Sequence, residues 1–243
     1  MKIIAVIPAR MASSRFPGKP LKKIKGEPML KWVYNGIKNS EILTDIVVAT
    51  CDKEIQDFCE LNNIRCVMTS DQHERASDRT QEAVEYLEKN SGFKYDIVAM
   101  VQGDEPMLNH HMIDKAIEPL LKGEYRISNL MQVMDEDSWV DPGEVKVVVN
   151  AKGEAIYFSR EPIPSKKKFD LEFPKYKQVC IIPFERELLD IYSSLPPTPL
   201  EIIESVDMLR LIENNITIKM VLTDDKTYSV DTKEDLLKVE SLL

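Results

Sequence analysis

An α/β fold with a doubly wound parallel sheet is the class this sequence predicts, and three observations carry it. Short continuous apolar runs recur at Lys2–Ile7 (KIIAVI), Asp45–Thr50 (DIVVAT) and Asp96–Val101 (DIVAMV), as expected of strands buried on both faces. Stretches of helical period separate them, so strand and helix alternate through the first ~105 residues. The chain has 243 residues with 43% hydrophobic content, enough for one large domain, or a domain with an appendage, around a full core.

Taken in order, Lys2–Ile7 is the first strand and Pro8–Lys19 a loop. Pro28 opens a helix at its first position, with Leu30, Val33, Tyr34 and Ile37 on one face. After the second strand, Ile55, Phe58, Cys59 and Leu61 follow helical spacing, and Arg65–Met68 is a third strand. Ser77 or Asp78 is expected to cap a helix that turns Ala83, Val84 and Leu87 inward. The strand at Asp96–Val101 then ends in Gln102-Gly103-Asp104-Glu105-Pro106.

The second half changes character. Val145–Asn150 and Ala155–Ser159 flank Ala151-Lys152-Gly153-Glu154, a hairpin signal, and Pro162–Lys177 has no period and is expected to be a long loop or arm. One helix is expected from Thr198-Pro199 to about Asn214, then two short strands, then a helix over Thr232–Leu242 with Thr232 and Asp235 in capping-box positions. No domain boundary stands out; residues 1–243 are expected to form one domain with an arm-like subregion at about 125–180.

Several function classes are excluded. No apolar run approaches the ~18 residues that cross a bilayer, and no secretory leader is visible, so a soluble cytoplasmic protein without a membrane partner is expected. The net charge of −9 argues against nucleic acid as a partner. Cys51, Cys59, Cys66 and Cys180 form no C-x-x-C pair and are expected to be free thiols. No two of the eight glycines stand close enough for G-x-G-x-x-G, which argues against a dinucleotide dehydrogenase, and the P-loop pattern is also missing.

Charge distribution points to a polyanion instead. Residues 1–31 hold eight bases and the single acid Glu27, whereas the other 212 residues hold 24 bases and 40 acids. The loop after the first strand brings Arg10, Arg15 and Lys19 together with small residues whose backbone N–H groups can face a phosphate. Pro17-Gly18 makes a turn expected to aim Lys19 back at that loop. Asp104, just past an apolar strand, suits a Mg2+ ion shared with phosphate oxygens. Asp231 precedes the last helix and reads equally well as an acid at a helix N-terminus.

These segments resemble a known family. Ile7–Leu21 (IPARMASSRFPGKPL), Gln102–Pro106 (QGDEP) and Val230–Leu236 (VDTKEDL), in this order and separation, are similar to the 3-deoxy-manno-octulosonate (Kdo) cytidylyltransferases, the CMP-Kdo synthetases. Asp141-Pro142 with Val145–Val148, Tyr157–Arg160 with Ile163-Pro164, and Pro199–Glu201 with Glu204 and Leu209-Arg210 extend the likeness over nearly the whole chain. The resemblance implies a nucleotide-diphospho-sugar transferase-like (Rossmann-like) fold with a mixed, mostly parallel sheet. It also implies CTP and an acidic sugar as substrates, Mg2+ as cofactor, and a homodimer, with the 125–180 arm as its candidate interface.

By the same resemblance, Ala9, Arg10, Ser14, Arg15, Lys19, Ser77, Arg79 and Asp104 would bind the nucleotide. Asp104 and Asp231 would hold the metal, and Gln102, Arg160, Gln178 and Glu204 would meet the sugar. Arg10, Lys19, Asp104 and Asp231 would carry catalysis. Two segments depart from the family pattern. H-x-S-G-T-[DE]-R reads His73-Glu74-Arg75-Ala76-Ser77-Asp78-Arg79, which bears on cytosine selectivity. H-x-G-I-Y-x-[YF] reads Gln178-Val179-Cys180-Ile181-Ile182-Pro183-Phe184, so a ring N–H and a phenol are missing. That leaves two acceptors open, Kdo or a different acid, because polar sites discriminate strongly. A regulatory protein that binds nucleotide without turnover stands as a further alternative.

Overall fold

The computed structural model describes residues 1–12, 16–168 and 171–243. Its first sheet has five strands: β1 (Ile3–Pro8), β4 (Asp45–Thr50), β5 (Cys66–Met68), β6 (Ile97–Val101) and β11 (Ile181–Glu185), in the order β11-β6-β1-β4-β5. The β6-β1-β4-β5 pairings are parallel, and β11 closes the edge antiparallel to β6. All six residues of β1 are buried, Ile4 and Val6 in one apolar cluster and Ile3, Ala5 and Ile7 in the other. A continuous apolar run results because helices cover both faces. Helices α1 (Met29–Ile37), α2 (Lys53–Leu61) and α4 (His110–Leu121) supply one cluster; α3 (Ala76–Ser91) and α6 (Arg186–Ser194) supply the other.

A second five-stranded sheet packs beside the first. Its strands are β7 (Ser128–Val133), β8 (Lys146–Val149), β9 (Ala155–Ser159), β10 (Tyr176–Val179) and β12 (Lys219–Thr223), in the order β12-β7-β10-β8-β9. It is antiparallel except for β12 beside β7, and the expected hairpin is β8–β9. Cys180 alone separates β10 in this sheet from β11 in the other, and an Ile127–Phe184 bridge joins them again. The subregion expected at 125–180 is thus a sheet completed by a strand from beyond it.

Several local expectations need correction. The helix expected over 198–214 is two helices, α7 (Pro199–Glu204) and α8 (Met208–Glu213). Ser205 takes a left-handed conformation with φ 53° between them, which ends the first helix and turns the chain. The buried Glu201–Arg210 pair, at 2.6 and 2.7 Å, clamps the two together. Only β12 follows, where two strands were expected. Arg75, not Ser77 or Asp78, is the residue at the N-cap of α3. Pro28 caps α1 from the short hairpin β2 (Lys23–Ile24)–β3 (Glu27–Pro28), and Leu61 points to solvent, 84% exposed.

The chain ends meet through a third, smaller cluster. Ile24 and Met29 from the amino-terminal hairpin region pack against Val230, Leu236 and Val239, the last two on α9 (Lys233–Leu242). The capping box expected at Thr232 and Asp235 opens α9. No helix among the described residues is long and apolar enough to cross a membrane, and the four cysteines are free.

Gly36 marks the tightest helix contact: a Cβ there would lie 2.0 Å from the Leu108 carbonyl oxygen. Gly36→Ala should therefore cost about 2–3 kcal/mol through overpacking, read as a lower urea midpoint; an unchanged midpoint would show that α1 can shift freely.

Candidate functional site

A cavity of about 420 Å³ opens at the carboxyl ends of β1 and β6, the usual ligand crevice of such sheets. Pro8, Ala9 and Arg10 from the end of β1 and Gln102, Gly103 and Asp104 from the end of β6 line it, facing Lys19 and Asp231. At its centre the Lys19 ammonium lies 3.0 Å from Asp104 Oδ2 and 3.0 Å from Asp231 Oδ1. Burial works against this charge, but the two carboxylates outweigh it and hold the ammonium above its ordinary pKa. All three side chains are mostly shielded, at 14, 23 and 20% exposure, so the pairing is screened less than a surface ion pair.

The backbone arranges this meeting. Gly18, with φ 73°, turns the chain into a 3₁₀ turn over Lys19–Leu21, and its N–H donates to Met11 O at 3.0 Å. That turn directs Lys19 toward the carboxylates, in the cavity that Ala9, Arg10 and Ala12 of its own loop also line. On the other side, Val230 N–H donates to Asp104 O at 2.9 Å, and Asp231 N–H donates to Asp235 Oδ2 at 3.0 Å. Next to Asp104, the buried Glu105 accepts from Cys180 N–H at 2.7 Å and Thr227 Oγ1 at 3.1 Å. Burial pushes Glu105 up to about 7, partly opposed by Lys177.

The structure brings Arg10, Lys19, Asp104 and Asp231 to one cavity, with Gln102, Arg79, Arg160 and Gln178 on its walls. Ser14 and Arg15 lie outside the described residues. The N–H groups at 9 and 11 are already used: Ala9 donates to Ala49 O and Met11 to Asp52 Oδ2. Ala9 therefore lines the cavity without a free N–H for phosphate. Ser77 is fully buried, its hydroxyl directed at Tyr192 OH and Asp207, so it faces the core and not the cavity. Arg79 is nearly buried and donates to Thr69 Oγ1 at 2.5 Å.

Glu204 also stands off the cavity wall. Burial raises its pKa, but hydrogen bonds from Arg160 N–H, Ser159 and Tyr157 outweigh that and hold it below the usual value. It fixes the chain at Arg160, whose guanidinium donates to backbone carbonyls of Glu204, Pro142 and Ser205. Beneath it, the fully buried Lys146 donates to the carbonyls of Asp141, Glu144 and Arg160 at 2.6, 2.9 and 2.6 Å. Carboxylates stand beside both cations, Glu204 at Arg160 and Asp141, Glu144 and Glu161 around Lys146.

Sequence reasoning missed Lys146, a lysine inside a valine-rich strand, and Asp207, brought to the wall by the break at Ser205. Arg75 crosses to Asp207 with an ion pair at 3.0 Å. Burial raises the Asp207 pKa against the pull of Arg75. The signal for Arg75 was present as a departure from the family pattern.

Among the described residues no cluster of three or more His, Cys, Asp or Glu side chains could hold a metal. Two carboxylates converging on one cation do suit Mg2+, which takes one or two protein carboxylates and completes its shell with phosphate oxygens and water.

Comparison with known proteins agrees with this architecture. A model of the cytidylyltransferase family matches residues 4–219. The 3-deoxy-manno-octulosonate cytidylyltransferase of Thermodesulfovibrio yellowstonii is 39% identical over 252 aligned positions, covering 100% of this chain and 98% of that one. The mitochondrial enzyme of that name from Arabidopsis thaliana is 38% identical, covering 100% of this chain and 83% of its own length. A solved CMP:2-keto-3-deoxy-manno-octonic acid synthetase complexed with CTP superposes with a TM-score of 0.89 at 33% identity, covering 100% and 98%. A glucose-1-phosphate thymidylyltransferase from Bacillus anthracis, at 15% identity and a TM-score of 0.72 over 99% and 94%, shares the fold.

Replacing Lys146 with Met strands three carbonyls and should cost about 3 kcal/mol. Urea unfolding measures this, and a loss under about 1 kcal/mol would mean that water or Arg160 takes over those acceptors.

Proposed function

The chain belongs to the cytidylyltransferase family, and from that premise we propose that it transfers CMP from CTP to the acidic sugar Kdo, releasing pyrophosphate. Full-length identity of 38–39% to enzymes of that activity carries the reading, and a cavity with cations and paired carboxylates at the strand ends supports it. A regulatory binder without turnover has no comparable support, since the relatives are named as enzymes.

In the reaction the anomeric hydroxyl of the sugar attacks the α-phosphorus in line, forming one P–O bond as the bond to pyrophosphate breaks and the hydroxyl proton passes to solvent. Little covalent work falls to the protein; placement and charge neutralisation dominate such transfers. Arg10 and Lys19 face the triphosphate and offset the charge that builds on departing pyrophosphate, with Arg15 assigned to the same task by its place in the loop. Asp104 and Asp231 would hold Mg2+, which when bound supplies Lewis-acid neutralisation and lowers the pKa of the attacking hydroxyl. Arg160, with Lys146 below it, receives the sugar carboxylate, a planar group matched by a guanidinium. Arg79 belongs with the nucleotide, and Gln102 and Gln178 with the sugar.

One observation favours a second acceptor. Gln178 spends its amide N–H on Asn129 Oδ1 at 2.6 Å, and Ile182 sits with Met100, Val206 and Met208 in an apolar stretch of the cavity wall. Such a wall offers few partners to hydroxyls and suits an acid with a less hydroxylated face. A homodimer through the second sheet and a cytoplasmic location belong to the same proposal. Exposed Val133, Val140 and Ile156 support the former, which sedimentation tests.

A pyrophosphate-release screen crossing four nucleoside triphosphates with a set of acidic sugars tests the activity. CTP with Kdo should give the highest turnover; a preference for another acid would establish the second acceptor, and no turnover with any pair contradicts the reading. Asp104→Asn and Asp231→Asn should each lower kcat/KM by about 10²–10³-fold while Tm holds. Near wild-type turnover in either variant would remove that carboxylate from the scheme.

A further inference from the structure

Lys19 raises a question that its place in a phosphate cradle does not answer. Its ammonium donates to Asp104 Oδ2 and Asp231 Oδ1, both at 3.0 Å, which are the two carboxylates assigned to the metal. An ammonium and a divalent cation repel, so both cannot occupy one point between the same oxygens. We propose that Lys19 and the divalent cation compete for this single position, so that metal entry moves the Lys19 ammonium from the carboxylates onto the triphosphate. This rests on the reading of the site as a CTP and metal site.

The carboxylates do not depend on Lys19 to face each other. Val230 N–H holds Asp104 O at 2.9 Å, and Val230 itself is fully buried in the cluster that docks α9 on the amino-terminal hairpin. Asp231 is anchored by its own N–H to Asp235, and Glu105 is tied to Cys180 and Thr227. Backbone and core contacts that do not involve Lys19 thus hold the segments carrying both carboxylates. Lys19, by contrast, reaches in on a long side chain from a short turn, so a rotamer change suffices to withdraw it. The same cavity contains Arg10, so a withdrawn Lys19 finds its next counter-charge in the phosphates that Arg10 faces.

Metal binding without nucleotide is then weak, because it must displace an ammonium that among the described residues pairs with these two carboxylates alone. Triphosphate supplies a further anion and helps the metal, and by linkage the metal helps the triphosphate equally. Lys19 is in this account a positioning residue for the metal as well as a ligand for the nucleotide.

The test is a Mn2+ titration of the whole protein, followed by electron paramagnetic resonance, without nucleotide and then with CTP. Lys19→Met should bind Mn2+ at least about tenfold more tightly than wild type when no nucleotide is present, since one positive charge has left the site. With CTP, the factor by which nucleotide tightens Mn2+ should shrink in the variant. Adding Asp104→Asn to Lys19→Met should abolish the gain, which locates it at the carboxylate pair. Lys19→Gln serves equally if Lys19→Met fails to fold, with circular dichroism as the check. Unchanged or weaker Mn2+ binding by the folded variant overturns the proposal, as does a gain that survives Asp104→Asn. If instead wild type neither binds CTP nor releases pyrophosphate from it, the functional reading fails, and the nucleotide-free titration still decides whether Lys19 competes with the ion.

Discussion

Two acidic residues 127 positions apart in the chain meet on one ammonium, that of Lys19, 3.0 Å from each, and this convergence organises the site. The chemistry of charge neutralisation here depends on a core contact remote from any substrate. Val230 is buried with Ile24 and Met29, and its N–H reaches the Asp104 carbonyl. The carboxyl-terminal helix therefore closes the site that the first strands open. In this structure an ammonium lies between the carboxylates; in the proposed nucleotide-bound state a divalent ion with phosphate would take its place.

At the other end of the cavity charge is handled differently. Arg160 and Lys146 spend their donors on backbone carbonyls, while Glu204 beside Arg160 and Asp141, Glu144 and Glu161 around Lys146 supply the opposite charge. Arg75 pairs directly with a carboxylate, that of Asp207. It shapes the wall more than it charges it. The break between α7 and α8 makes this possible, because a continuous helix would leave no bend at Ser205 to bring the following segment to the wall.

Much of this was legible in the residues. The three apolar runs became parallel strands because burial on both faces leaves no room for polar alternation, and Arg10, Lys19 and the two acids line one cavity. What escaped depended on contacts distant in sequence. Nothing local marks Ser205 as left-handed, because the Glu201–Arg210 clamp that stabilises the break forms only after both helices exist. Lys146 lies in an apolar strand, where a lysine reads as an outward-facing residue until three carbonyls are seen around it. Ser77 and Ala9 were assigned by motif position, yet the core and the β1–β4 ladder had already claimed their polar groups. The second sheet recruits β12 from far downstream, so its extent could not be read from the 125–180 segment.

The most direct measurement is a crystal structure grown with CTP and Mn2+, with anomalous scattering used to place the ion. An anomalous peak in contact with both Asp104 and Asp231 is expected, with the Lys19 ammonium moved onto a phosphate oxygen. An ion bound elsewhere, with Lys19 still spanning the two carboxylates, would contradict it.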